Sequence, residues 1–110
     1  MNILDLKGRN ALITGAGQGV GRQIALHFAA SNAGTVYVND FSAERARAVA
    51  EEVRAAGGKA EPVACDVTDF EAMQALLSPL HVDLLVNNAG NAGADPSKTG
   101  RGEFWEQQPE

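Results

Sequence analysis

Eight consecutive residues, Thr14-Gly15-Ala16-Gly17-Gln18-Gly19-Val20-Gly21, follow the apolar run Ala11-Leu12-Ile13 and lead into a helical pattern. A strand that feeds a glycine turn and then a helix suits a phosphate group. Peptide N–H groups can approach the anion where side chains are missing, and the helix points its positive end at it. The ligand expected here is a nucleotide-like anion. The common dinucleotide spacing G-x-G-x-x-G is absent, because Gly15 and Gly17 are followed by Val20 where that pattern needs glycine. The spacing that does fit is T-G-x-x-x-G-x-G, with Thr14, Gly15, Gly19 and Gly21. A second chemical group is Asp40, at the carboxyl end of the β-branched and aromatic run Thr35-Val36-Tyr37-Val38-Asn39 and nineteen residues after Gly21. That is the separation expected for a carboxylate that accepts hydrogen bonds from ribose hydroxyls. A carboxylate there would repel a 2′-phosphate, and Gln18 and Phe41 nearby are neutral, so NAD is expected over NADP. The plainer reading makes Asp40 a turn residue or helix cap, which would not exclude ribose binding.

Two further stretches complete the pattern. Asn87-Asn88-Ala89-Gly90 closes the apolar run 82–86, and Cys65-Asp66-Val67-Thr68-Asp69 stands at the end of the run 60–65. With Thr14 to Gly21, these motifs resemble the short-chain dehydrogenase/reductase family, classical type, over nearly the whole chain but only the front part of that family's fold. The resemblance implies that Gly15 permits the tight turn, Gly19 the approach of the cofactor and Gly21 the packing of helix on strand. It implies that Asp66 and Val67 meet the adenine, and that Asn88, Ala89 and Gly90 wall the adenosine pocket. Gln18 and Val20 in the turn and Phe41 beside Asp40 are counted with them as cofactor-binding. It further implies an NAD-dependent interconversion of a small alcohol and a ketone, and a homo-oligomer, commonly a homotetramer, built through later helices. The family's chemistry needs a serine, a tyrosine and a lysine four residues after that tyrosine. The only tyrosine, Tyr37, has Phe41 at that place, and no Tyr-x-x-x-Lys exists in the sequence. Asn87 and Asn88 belong to the cofactor motif and cannot be the family's catalytic asparagine. No catalytic residue is therefore assigned, and the chain alone is expected to bind cofactor without transferring hydride.

The elements that must position these residues alternate between strand and helix patterns. The first strand is the run 11–14, and Val20, Ile24, Ala25 and Phe28 give the first helix its apolar stripe, ended by Asn32 and Gly34. Ser42 caps a second helix whose Ala46, Val49, Ala50 and Val53 fall at i, i+3, i+4 and i+7, and Gly57-Gly58 stop it. Its Glu44, Arg45, Arg47, Glu51, Glu52 and Arg54 read as a solvated face. Thr68 with Glu71 makes a capping box before the helix of Phe70, Met73, Leu76 and Leu77, with Asp69 a first-turn acid and Phe70 and Met73 in the core. Four βα units without a hairpin signal imply an α/β fold, a Rossmann-like doubly wound parallel sheet in the order 3-2-1-4 with right-handed crossovers, truncated after four strands. The ligand would cross the carboxyl ends of the strands, near the switch between the first and fourth.

Composition bounds the alternatives. The 110 residues, 45% hydrophobic, provide for one domain, read as an incomplete NAD-binding Rossmann domain over 1–110. A net charge of −5, without a basic cluster, argues against nucleic acid as a partner. No apolar run is long enough for a bilayer, and the amino terminus lacks a secretory pattern. The single cysteine, Cys65, suits a reducing cytoplasm and reads as a small buried hydrophobe. His27 and His81 have no metal-ligand spacing with each other or with Cys65, so no metal is expected. Residues 91–110 read as a loop leading toward a helix that is absent, and the fourth strand, apolar on both faces, expects a further neighbour. Two other readings stay open: a non-enzymatic NAD-binding module or subunit, and an S-adenosylmethionine methyltransferase, since Gly15-x-Gly17-x-Gly19 plus an acid after the second strand also describes that site.

Overall fold

The computed structural model describes residues 5–88. Its elements run β1 (Ala11–Ile13), α1 (Gly19–Ala30), β2 (Thr35–Asp40), α2 (Ala43–Ala55), β3 (Lys59–Ala64), α3 (Phe70–Leu77) and β4 (Leu84–Val86). Every strand pair is parallel and the order is β3-β2-β1-β4. This is the Rossmann-like sheet that the alternating pattern predicts. Right-handed crossovers place α1 and α2 on one face and α3 on the other.

The α1/α2 face holds the core. Ile13, Val36 and Val38 of the sheet pack with Ala25 of α1 and with Ala46, Val49, Ala50 and Val53 of α2, all buried. Alanines at three of the helical positions let the helix backbones lie close to the strands, while each fully buried valine contributes about 1.5–3 kcal/mol. Asn10 anchors the amino end of β1: its amide Nδ2 donates to His81 O at 2.8 Å and its Oδ1 accepts from Thr35 N at 2.8 Å. The Asn10 N–H in turn donates to Asp83 Oδ2 at 2.9 Å. One side chain thus ties the entries of β1, β2 and β4.

The helix ends follow local chemistry. Ser42 Oγ accepts from Arg45 N at 3.2 Å and caps α2, and Gly57, at φ +98°, ends it with its N–H on Arg54 O at 2.9 Å. At α3 the expected capping box is not formed. Asp69 is the cap, accepting from Ala72 N at 3.1 Å, while the Thr68 hydroxyl turns back to donate to Asp66 Oδ1 at 2.7 Å. Phe70 is 74% exposed rather than in the core, and no residue of α3 is buried. Within the described residues this eight-residue helix is alone on its face of the sheet, so little apolar surface meets it. Leu85, on the same sheet row as Leu12 and Tyr37, is also exposed.

Other side chains also depart from the sequence reading. Cys65 lies just past β3 and is half-buried rather than a core residue. The α2 charges are not simply a solvated face: Glu52 pairs with Arg22 of α1, with Arg22 Nε donating to Glu52 Oε1 at 2.8 Å, and Arg45 turns toward Asp40. No helix among the described residues is long and apolar enough to cross a membrane. Ala89, Gly90 and the loop 91–110 lie outside the described residues.

Candidate functional site

The carboxyl ends of the four strands open into a cleft of about 710 Å³. The turn after β1 contributes Gly15 and Gln18, and the first turn of α1 contributes Gly19 and Val20. From β2 and the start of α2 come Asn39, Asp40, Phe41 and Arg45; from the segment after β3, Cys65, Asp66, Val67 and Thr68; and from the end of β4, Asn88. The structure therefore gathers Gly15, Gln18, Gly19, Val20, Asp40, Phe41, Asp66, Val67 and Asn88 around one space. Gly21 stands behind it. A Cβ at Gly21 would collide with Gly15 O and would sit 2.7 Å from Asn88 Nδ2, so glycine here lets α1 pack against the turn.

The turn is shaped for an anion. Gly15 and Gly19 both have φ near +61°, where side-chain-bearing residues are strained, and a Cβ at Gly19 would meet nothing within 4 Å. That open volume is the cleft itself. Gln18, the residue before α1, is extended and provides no side-chain cap, and the first turn holds no acid. The other two helices are capped by Ser42 and Asp69. The helix whose N-terminal N–H groups lack a side-chain acceptor is the one that opens on the cleft.

Hydrogen bonds hold the walls in place. Asn88 N donates to Thr14 Oγ1 at 2.8 Å and Asn88 Nδ2 to Gly15 O at 3.2 Å, stitching the end of β4 to the glycine turn. Asn39, fully buried, donates through Nδ2 to Val63 O at 2.9 Å and Cys65 O at 3.1 Å, while its Oδ1 accepts from Gly15 N at 3.4 Å. It links β1, β2 and the segment after β3. Nothing local in the sequence marks this amide as more than a strand residue.

Asp40 is buried and busy. Its Oδ1 accepts from Gly17 N at 3.1 Å, and its Oδ2 accepts from Ser42 N at 2.9 Å and from Arg45 Nε at 3.1 Å. It is therefore both a turn residue and a cleft-lining carboxylate. Asp66 Oδ1 accepts from the Thr68 hydroxyl and from Thr68 N at 2.9 Å, and these bonds, the hydroxyl first, hold its pKa below the ordinary 3.8. Burial pushes the Cys65 thiol up, with Asp69 and Asp66 adding to it, so the neutral thiol is favoured. The sequence reading did not count Asn39, Arg45, Cys65 or Thr68 among the cofactor-binding residues, and all four line the cleft. Arg45 could have been flagged by asking which groups would satisfy a buried carboxylate at position 40.

The glycine cradle, the uncapped helix and the carboxylates fit a dinucleotide: the first two suit a pyrophosphate, and Asp40 and Asp66 offer acceptors for hydroxyl and amino groups.

Comparison with known proteins agrees with that chemistry. Residues 9–108 match the short chain dehydrogenase family. The 7alpha-hydroxysteroid dehydrogenase of Escherichia coli K12 is 44% identical over 98 residues, a match that takes in 84% of this chain and 38% of that protein. A solved 7alpha-hydroxysteroid dehydrogenase in complex with NADH and 7-oxo glycochenodeoxycholic acid superposes with a TM-score of 0.76 at 40% identity, over 94% of this chain and 42% of that one. A metagenomic short-chain oxidoreductase in complex with NADP gives 0.72 at 34% identity, over 87% and 48%. The chain thus spans less than half the length of these relatives.

Proposed function

The chain belongs to the short-chain dehydrogenase family, and on that footing we propose that it is the cofactor-binding part of an oxidoreductase that interconverts a small alcohol and a ketone with NAD. The observation that carries the reading is the uncapped amino end of α1 at a glycine turn whose Gly19 faces open volume. In this proposal the N–H groups from Gly15 to Gly21 hold the pyrophosphate, with Gln18 and Val20 beside them. Asp40 accepts from the adenosine ribose next to Phe41. Asp66 and Val67 meet the adenine, and Asn88 fixes the wall between β4 and the turn; Ala89 and Gly90 belong to the same proposal. Asp40 favours NAD over NADP through its charge. When bound, the nicotinamide supplies the hydride chemistry.

The proton that must accompany hydride needs a group held at the reacting oxygen. Tyr37 is half-buried on the middle of β2, beside Leu12 in the register, and has no lysine four residues on. We therefore assign the proton transfer to residues other than these 110. The test is a calorimetric titration with NADH, beside an assay of ketone reduction, on the protein and on Gly19→Ala. Saturable binding without turnover, weakened more than about tenfold by Gly19→Ala in a folded variant, supports the reading. A folded protein that binds no NADH, or one that turns over ketones, contradicts it.

A further inference from the structure

Asp40 would set cofactor choice by repelling a 2′-phosphate, with Gln18 and Phe41 neutral beside it. A cation stands beside this carboxylate. Arg45, in the first turn of α2, lines the same end of the cleft, with Nε and one terminal nitrogen each 3.1 Å from Asp40 Oδ2. The Asp40 side chain is 6% exposed while the Arg45 side chain is 47% exposed. Both side chains line the cleft, but the negative partner is held inward by Gly17 N, Ser42 N and Arg45, and the positive partner is the more exposed of the two.

We infer that Arg45 is a specificity-determining residue of the ribose end, which offsets the charge of Asp40 and offers a guanidinium to a 2′-phosphate. A guanidinium carries five N–H donors in a planar fork, and the contacts to Asp40 Oδ2 leave donors on its outer edge. A phosphate oxygen pair suits that edge, whereas a ribose hydroxyl gains little from it. NAD remains the preferred cofactor through Asp40, but by a narrow margin, and NADP is accepted in the same cleft. This inference rests on the dinucleotide reading proposed above.

The test compares dissociation constants for NADH and NADPH, by calorimetry, for the protein and for Arg45→Ala, Arg45→Lys and Arg47→Ala. Arg47 is exposed on the same helix and is not part of the cleft, so it controls for the loss of a positive charge on α2. The expected result is binding of both cofactors within about tenfold of each other, with Arg45→Ala weakening NADPH by about tenfold or more and NADH by less than about threefold. Arg45→Lys keeps the charge but loses the fork, so its ratio falls between those of the unaltered protein and Arg45→Ala, and Arg47→Ala leaves it unchanged. A loosened α2 amino terminus would weaken both cofactors together. Equal losses in Arg45→Ala, or no change in the ratio, overturns the role of Arg45 while leaving the dinucleotide reading intact. Failure of the unaltered protein to bind either cofactor overturns both.

Discussion

Gly17 and Asp40 are packed against each other: the Gly17 N–H donates to Asp40 Oδ1 at 3.1 Å, and a Cβ at Gly17 would stand 2.6 Å from Asp40 Cγ. The contact joins the phosphate turn after β1 to the acid at the end of β2, so the two chemical groups first picked out in the sequence form one rigid corner.

Gly17→Ala tests that corner. The added methyl would press on Asp40 and on Arg45 Cβ at 2.7 Å, and neither buried carboxylate nor helix backbone can move away cheaply. The expected loss is about 1–3 kcal/mol of stability, the usual cost of overpacking, together with weaker NADH binding. Denaturant unfolding and a cofactor titration of the same variant check both parts; wild-type values for both would mean that the turn is loose.

Asn39→Ala removes a buried amide that serves three chain segments. Its loss leaves the carbonyls of Val63 and Cys65 without this donor and Gly15 N without this acceptor. We expect about 1–3 kcal/mol of destabilisation, read as a lower urea midpoint. A change under about 0.5 kcal/mol would show that other groups or water replace the amide.

Acid should loosen the entry to β1. The Asn10 N–H on Asp83 lowers the pKa of that carboxyl below its ordinary 3.8, with the desolvation that opposes this smaller, and His81 adds to the lowering. A carboxyl with a depressed folded pKa stabilises the fold above its unfolded value and loses that contribution as pH falls through the folded one. Asp66, lowered by Thr68, and Asp5, lowered by Asn32, act in the same direction. Stability measured by urea unfolding should therefore decline from about pH 4 downward, and Asp83→Ala should show a shallower decline than the unaltered protein. Identical acid limbs would remove Asp83 from this role.

The sheet order, the glycine turn and most cleft residues were legible because they depend on short-range patterns: apolar runs, helical spacing and glycines at fixed offsets. What escaped depends on orientation. Arg45 looks like one more charge on an exposed helix until Asp40 is seen to be buried beside it. Thr68 and Asp69 are both plausible caps; Asp69 takes the role, and the threonine hydroxyl turns back to donate to Asp66. Phe70 has the right type for a core position, but burial also requires something to cover its face. Asn10 and Asn39 act across distant segments, and no sequence window contains their partners.

The most direct measurement of the central claim is a map of backbone amide shifts in the NMR spectrum as NADH is titrated into the protein. The largest changes are expected to cluster at Gly15, Gly19, Val20, Asp40, Asp66 and Asn88, around the cleft at the carboxyl ends of the strands. Changes centred instead on the shallow groove of Gln23, Ile24 and His27 along α1, or none at saturating cofactor, would contradict it.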